Sequence, residues 1–143
     1  MAYVAEKQDR SAEEKASNLI SESNLINEFL YSVQNGIAKI SAIIAEERER
    51  REALKRLDNA LERRLNELDK LYAQAGPSLG SDIRRAIKDI EDIYAVGLSE
   101  IEKASAGGLP ADQKIASFKE IVSAAEVAMQ ARADILRERI KKT

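Results

Sequence analysis

LISESNLINEFLYSVQNGIAKISAIIAEERERREALKRLDNALERRLNELDKLY, residues 19–72, is the stretch that decides the fold. Leu19, Ile26, Val33 and Ile40, then Leu54, Leu61 and Leu68, stand in one seven-residue register. Leu30, Ile37, Ile44, Leu65 and Tyr72 occupy the second seam position of the same register. Two apolar columns repeating every seven residues are the mark of helices that pack along a seam. The phase runs unbroken through Asn35-Gly36. A hairpin at that dipeptide would have no reason to preserve it. The spacing therefore predicts one helix over residues 11–75, about 95 Å long at 1.5 Å per residue. A competing architecture uses Gly36 as the residue that ends a first helix. It yields a compact four-helix bundle instead.

Working outward, residues 1–10 read as a polar, frayed lead-in. Ser11-Ala12-Glu13-Glu14 fits a reciprocal cap at a helix start, because hydroxyl and carboxylate can each satisfy a free backbone N–H. The seam is interrupted by Glu47, Arg51 and Asp58, where Leu or Ile is expected. Around them, Glu46–Arg50, Glu47–Arg51 and Glu52–Arg56 are spaced to pair on a helix surface, each contributing a few tenths of a kcal/mol. Charges at seam positions set register and oligomer number at some loss of stability. Glu47, Arg51 and Asp58 are accordingly expected to specify assembly rather than strengthen it.

Gly76-Pro77 ends the long helix, glycine as a left-handed cap and proline as a residue that cannot continue it. Ser81-Asp82 reads as the cap of a second helix over 81–105. Its stripe is Ile83, Ile87, Ile90, Tyr94, Gly97, Ile101 and Ala104, and Gly97 within it predicts a close helix approach. Gly107-Gly108 breaks the chain again. Pro110 suits the first position of a last helix over 110–142. There Ile115, Phe118, Val122, Ala125, Met129 and Leu136 line one edge of the apolar face, and Ile121, Ala128 and Ile135 the other. A face that wide serves two neighbours. The expected fold class is all-α: one helical domain, 1–143, in which two shorter helices pack back on a long one.

Composition removes many functions. Charged residues are 34% of the chain, against about 25% for an average domain, and aromatic residues only 4%. With no His and no Cys, the commonest general base and the usual transition-metal and haem ligands are missing. No catalytic residue, cofactor or metal site is expected. Asp89, Glu91 and Asp92 form an acidic cluster that reads as a solvated helix face. Arg48, Arg50 and Arg51, like Arg63 and Arg64, are interleaved with glutamates, which cancels the field a nucleic-acid backbone needs. Net charge is −2. No apolar run reaches the roughly 20 residues needed to span a bilayer, and no signal peptide is visible at the start. The default location is the cytoplasm.

The two shorter helices span fewer residues than the long one and can cover its Leu54–Tyr72 half. A continuous helix then leaves Leu19, Ile26, Leu30, Val33, Ile37, Ile40 and Ile44 as an uncovered apolar row. The expectation is a non-enzymatic scaffold, adaptor or chaperone that assembles with itself or with another helical protein. The alternative is a four-helix sensor domain that binds a small molecule or peptide in a pocket between helices.

Overall fold

The computed structural model describes the backbone of residues 2–142 and the side chains of residues 12–142. Three helices follow one another: α1 (Ala2–Ala75), α2 (Gly80–Ala106) and α3 (Ala111–Lys141), with a short 3-10 turn, Pro77–Leu79, between the first two. No strand occurs among the described residues. By internal contacts the chain divides into two units, Met1–Ser41 and Ala42–Thr143.

α1 passes through Asn35-Gly36 without a break. The unbroken heptad phase accounts for this, since one glycine in a long helix costs only about 1 kcal/mol relative to alanine. The compact four-helix alternative is therefore not formed. At its other end α1 begins at Ala2, upstream of the expected start at Ser11. Residues 2–10 contain neither proline nor glycine, and extending an existing helix is far easier than nucleating one. The frayed lead-in is thus helical backbone, and the Ser11–Glu14 cap lies inside the helix.

The second unit is a three-helix bundle. α2 runs antiparallel to α3, with Asp89 paired to Arg132 at 2.7 Å and Asp82 to Arg139 at 3.3 Å. α1 runs antiparallel to α2: Leu57 meets Gly97, Tyr72 lies near Gly80, and Tyr94 reaches Asp58. α1 and α3 are parallel, joined by Glu46–Lys114 at 3.3 Å, Arg56–Glu126 at 3.1 Å and an ion pair between Glu67 and Arg137.

The core is aliphatic apart from Phe118. Leu57, Leu68, Ile83, Ile90, Ile101, Phe118, Val122, Met129 and Leu136 are fully buried. The predicted faces of α2 and α3 supply most of these. On α1 the buried line is Ala53, Leu57, Ala60, Leu68 and Leu71. Leu68 is the one expected seam residue in it; the others lie one residue ahead of the seam, whose Leu54, Leu61 and Leu65 are only half-buried and whose Tyr72 is exposed. Alanines at 53 and 60 let the helices approach closely, and the leucines beside them fill the flank.

The turns differ in detail from expectation. Gly76 has φ 76° and ψ −178°, a region open essentially to glycine alone. α2 starts at Gly80, whose N–H donates to the Pro77 carbonyl. Ser81 and Asp82 therefore sit in the first turn rather than capping it, and Asp82 is used for the ion pair with Arg139. Pro110 precedes α3 as its cap residue, one position earlier than predicted, and its carbonyl accepts from the Lys114 N–H at 3.0 Å.

Candidate interaction surface

All seven residues expected at an interface are exposed, from 41% for Val33 to 66% for Leu19. Leu19, Ile26, Leu30, Val33, Ile37 and Ile40 belong to the first unit and Ile44 to the second. Within the first unit, Leu19, Ile26, Leu30, Val33, Ile37 and Ile40 form one row because they keep two columns of a seven-residue repeat along the helix. Large apolar residues exposed at this density are unusual on a monomer.

Three further members, Leu25, Phe29 and Ile43, are also exposed, and the seam register alone does not include them. Phe29, Gly36 and Ile43 recur seven residues apart and add a third column beside the first two. That spacing was available in the sequence. Gly36 concealed it, because a glycine contributes no apolar side chain to the pattern. A Cβ built on Gly36 meets nothing within 4 Å, so the fold of the single chain gives this glycine no packing role.

The charge distribution along α1 changes abruptly. Residues 16–45 contain three charged side chains, Glu22, Glu28 and Lys39. Residues 46–70 contain 16. A long exposed helix in water is normally charged all round. The first stretch instead has a polar face of serine, asparagine and glutamine, which suits a surface that others cover.

The expected seam charges separate into two groups. Glu47 accepts from Arg50 through both carboxylate oxygens, at 2.8 and 3.0 Å, and from Arg51 at 3.1 Å. The Arg50 hydrogen bonds, then that of Arg51, hold its carboxyl down at about 2. Glu47 in turn raises the Arg50 guanidinium. Asp58 stands apart and accepts from the Tyr94 hydroxyl on α2. That hydrogen bond, then burial, then the Asp58 charge, pushes the Tyr94 phenol above its ordinary range. Arg51 and Asp58 are exposed and Glu47 is half-buried. None of the three interrupts the core: Glu47 and Arg51 precede Ala53, its first residue on α1, and exposed Asp58 stands next to buried Leu57.

A groove of about 580 Å³ lies between α2 and α3, walled by Ile93, Val96, Ile121 and Ala128 and edged by Glu100 and Glu120. It offers apolar wall but few polar groups to orient a small ligand, which a specific pocket needs. Of the acidic cluster on α2, Asp89 is engaged by Arg132. Among the described residues no group of three or more His, Cys, Asp or Glu is placed to hold a metal ion. No described helix is long and apolar enough to cross a membrane. No protein-family model, curated protein or solved structure matches the chain.

Proposed function

We propose that this chain is a non-enzymatic helical scaffold, an adaptor or chaperone that works by self-assembly and helix-to-helix contact, with the Leu19–Ile44 row as the contact surface. The observation that carries this reading is the exposure of every member of that row on an uninterrupted helix. Leaving it wet is unfavourable at about 25 cal/mol per Å² of apolar surface, so covering it drives association. Three charges in thirty residues impose little desolvation penalty on that step. Continuity through Asn35-Gly36 also favours association over a four-helix sensor, which needs a turn there.

Light scattering coupled to size exclusion tests the proposal at tens of micromolar and across ordinary salt. A mass of two or more chains is expected, little changed by salt because the surface is apolar. Ile26→Asp should dissociate the assembly, since the partner would have to desolvate a carboxylate, while far-UV helicity stays close to wild type. A wild-type chain that remains monomeric throughout overturns the reading.

A further inference from the structure

We infer that Asn35-Gly36 is a site of spontaneous covalent modification, at which the Asn35 side chain loses ammonia and the helix is broken from within. The pair is the one Asn-Gly or Asp-Gly in the chain. Asn35 is exposed. Successive residues turn by about 100° along a helix, which sets Asn35 about 200° round from Val33 and about 160° from Ile37. It therefore stands opposite both seam columns, in water.

The reaction needs only these two residues and water. The Gly36 backbone nitrogen attacks the side-chain carbonyl carbon of Asn35. A bond forms between that nitrogen and Cγ, the bond from Cγ to Nδ2 breaks, and the Gly36 proton leaves with Nδ2 as ammonia. Water then opens the five-membered succinimide. Opening at Cγ gives aspartate. Opening at the Asn35 main-chain carbonyl gives isoaspartate, in which the main chain runs through the side chain and gains one carbon. Glycine leaves the attacking nitrogen with no side chain beside it, and nothing stands within 4 Å of a Cβ on Gly36. Asn18 and Asn24 are followed by leucine, Asn27 and Asn66 by glutamate, and Asn59 by alanine. Each of those side chains crowds the nitrogen that would attack.

The closed helix restrains this step and its opening permits it. Within α1 the Gly36 N–H belongs to the hydrogen bond that runs back to the Ser32 carbonyl, and the helical backbone at Asn35 holds the nitrogen out of line with Cγ. Residues 12–41 are exposed apart from half-buried Gly36, so this stretch of α1 rests on its own hydrogen bonds. Segments with few buried contacts open locally at the low end of the stability range. Glycine favours that opening about fivefold over alanine. Once isoaspartate has lengthened the main chain, the hydrogen-bond ladder no longer closes across it. The break falls between Val33 and Ile37, inside the apolar row.

Incubation of the full chain at mildly alkaline pH, where the Gly36 N–H gives up its proton more readily, followed by peptide mapping in a mass spectrometer, tests the inference. Asn35 should convert first, to a product heavier by the difference between water and ammonia. Electron-transfer fragmentation should show isoaspartate beside aspartate. Asn18 and Asn24 lie in the same exposed stretch and serve as internal controls. Conversion of Asn35 no faster than theirs overturns the inference. Gly36→Ala should slow the conversion about fivefold or more, because the helix opens less and a methyl group stands beside the nitrogen. An unchanged rate in that variant also overturns it. The converted chain should lose far-UV ellipticity, whereas Asn35→Asp, with the same new charge on an unlengthened main chain, should keep it. Equal ellipticity in the two overturns the inferred break in the helix.

Discussion

Leu57 Cδ2 on α1 lies 3.0 Å from the point where a Cβ on Gly97 of α2 would stand, and Leu57 Cδ1 lies 3.2 Å from it. Both residues are buried, Leu57 completely. The absence of a side chain at 97 is what allows the two helices to close at this level. α2 gives up helix propensity to make the contact, and the close packing of Leu57 compensates.

Gly97→Val should therefore destabilise the bundle. The added atoms collide with a leucine that is fully buried in the core and has little room to move. Overpacking of this kind costs about 1–3 kcal/mol. Urea unfolding followed by circular dichroism measures it. A variant at least as stable as wild type would mean that Leu57 can move aside.

Phe118→Ala and Ile90→Ala test the opposite fault, a cavity. Both side chains are fully buried in the second unit. Truncation should cost about 3–5 kcal/mol for the phenylalanine and about 2–5 kcal/mol for the isoleucine. Neither change touches the Leu19–Ile44 row, so at concentrations well below the denaturation midpoint the assembly mass should be unchanged. Losses well under 1 kcal/mol at both positions would contradict the core described here.

Stability should respond to pH at both ends of the scale. Glu47 has a folded value lowered from 4.5 to about 2. A lowered acid stabilises the fold fully above its unfolded value, and that contribution is lost as pH falls from about 4.5 towards 2. Tyr94 is raised above its ordinary 10.0, so its contribution is full below pH 10 and is lost as pH rises through the folded value. Glu47→Gln should flatten the acid limb of a denaturation midpoint plotted against pH, and Tyr94→Phe the alkaline limb. Limbs identical to wild type would show that neither ionisation is linked to folding.

Much of this fold is legible in the sequence, because periodicity and punctuation act locally. The faces of α2 and α3, the continuity of α1 and the stop at Gly76 all follow from spacing and backbone chemistry. The buried line of α1 is harder to read. Ala53 and Ala60 carry little hydrophobic weight, and Leu54 and Leu61 compete with them one residue later. Which set faces inward depends on how near the neighbouring helix comes, and that is a property of the assembled bundle. Helix starts fail for a related reason. Ser11 and Ser81 are good caps in isolation, yet Ala2–Arg10 and the Pro77–Leu79 turn each offer a helical run that reaches past them. In the candidate surface the two seam columns were visible and the third was not, since its middle member is Gly36.

The charges at Glu47, Arg51 and Asp58 now have a more defined expected effect. They follow directly on the apolar row, and their replacement by leucine would join Ile44 to Leu54, Leu61 and Leu65 in one apolar strip. The bundle itself should lose little, because Arg51 and Asp58 are exposed and the Glu47 pairs lie on the surface of α1. Exposed pairs of this kind contribute little, and the Asp58–Tyr94 hydrogen bond about 1 kcal/mol. The oligomer should change far more. A longer strip permits sliding by whole heptads and admits additional chains, so one register no longer excludes the others. Analytical ultracentrifugation of the triple leucine variant should resolve several species where the wild-type chain forms one. A single clean assembly of wild-type mass would show that these three charges do not set the register, and that the apolar row alone defines how the chains meet.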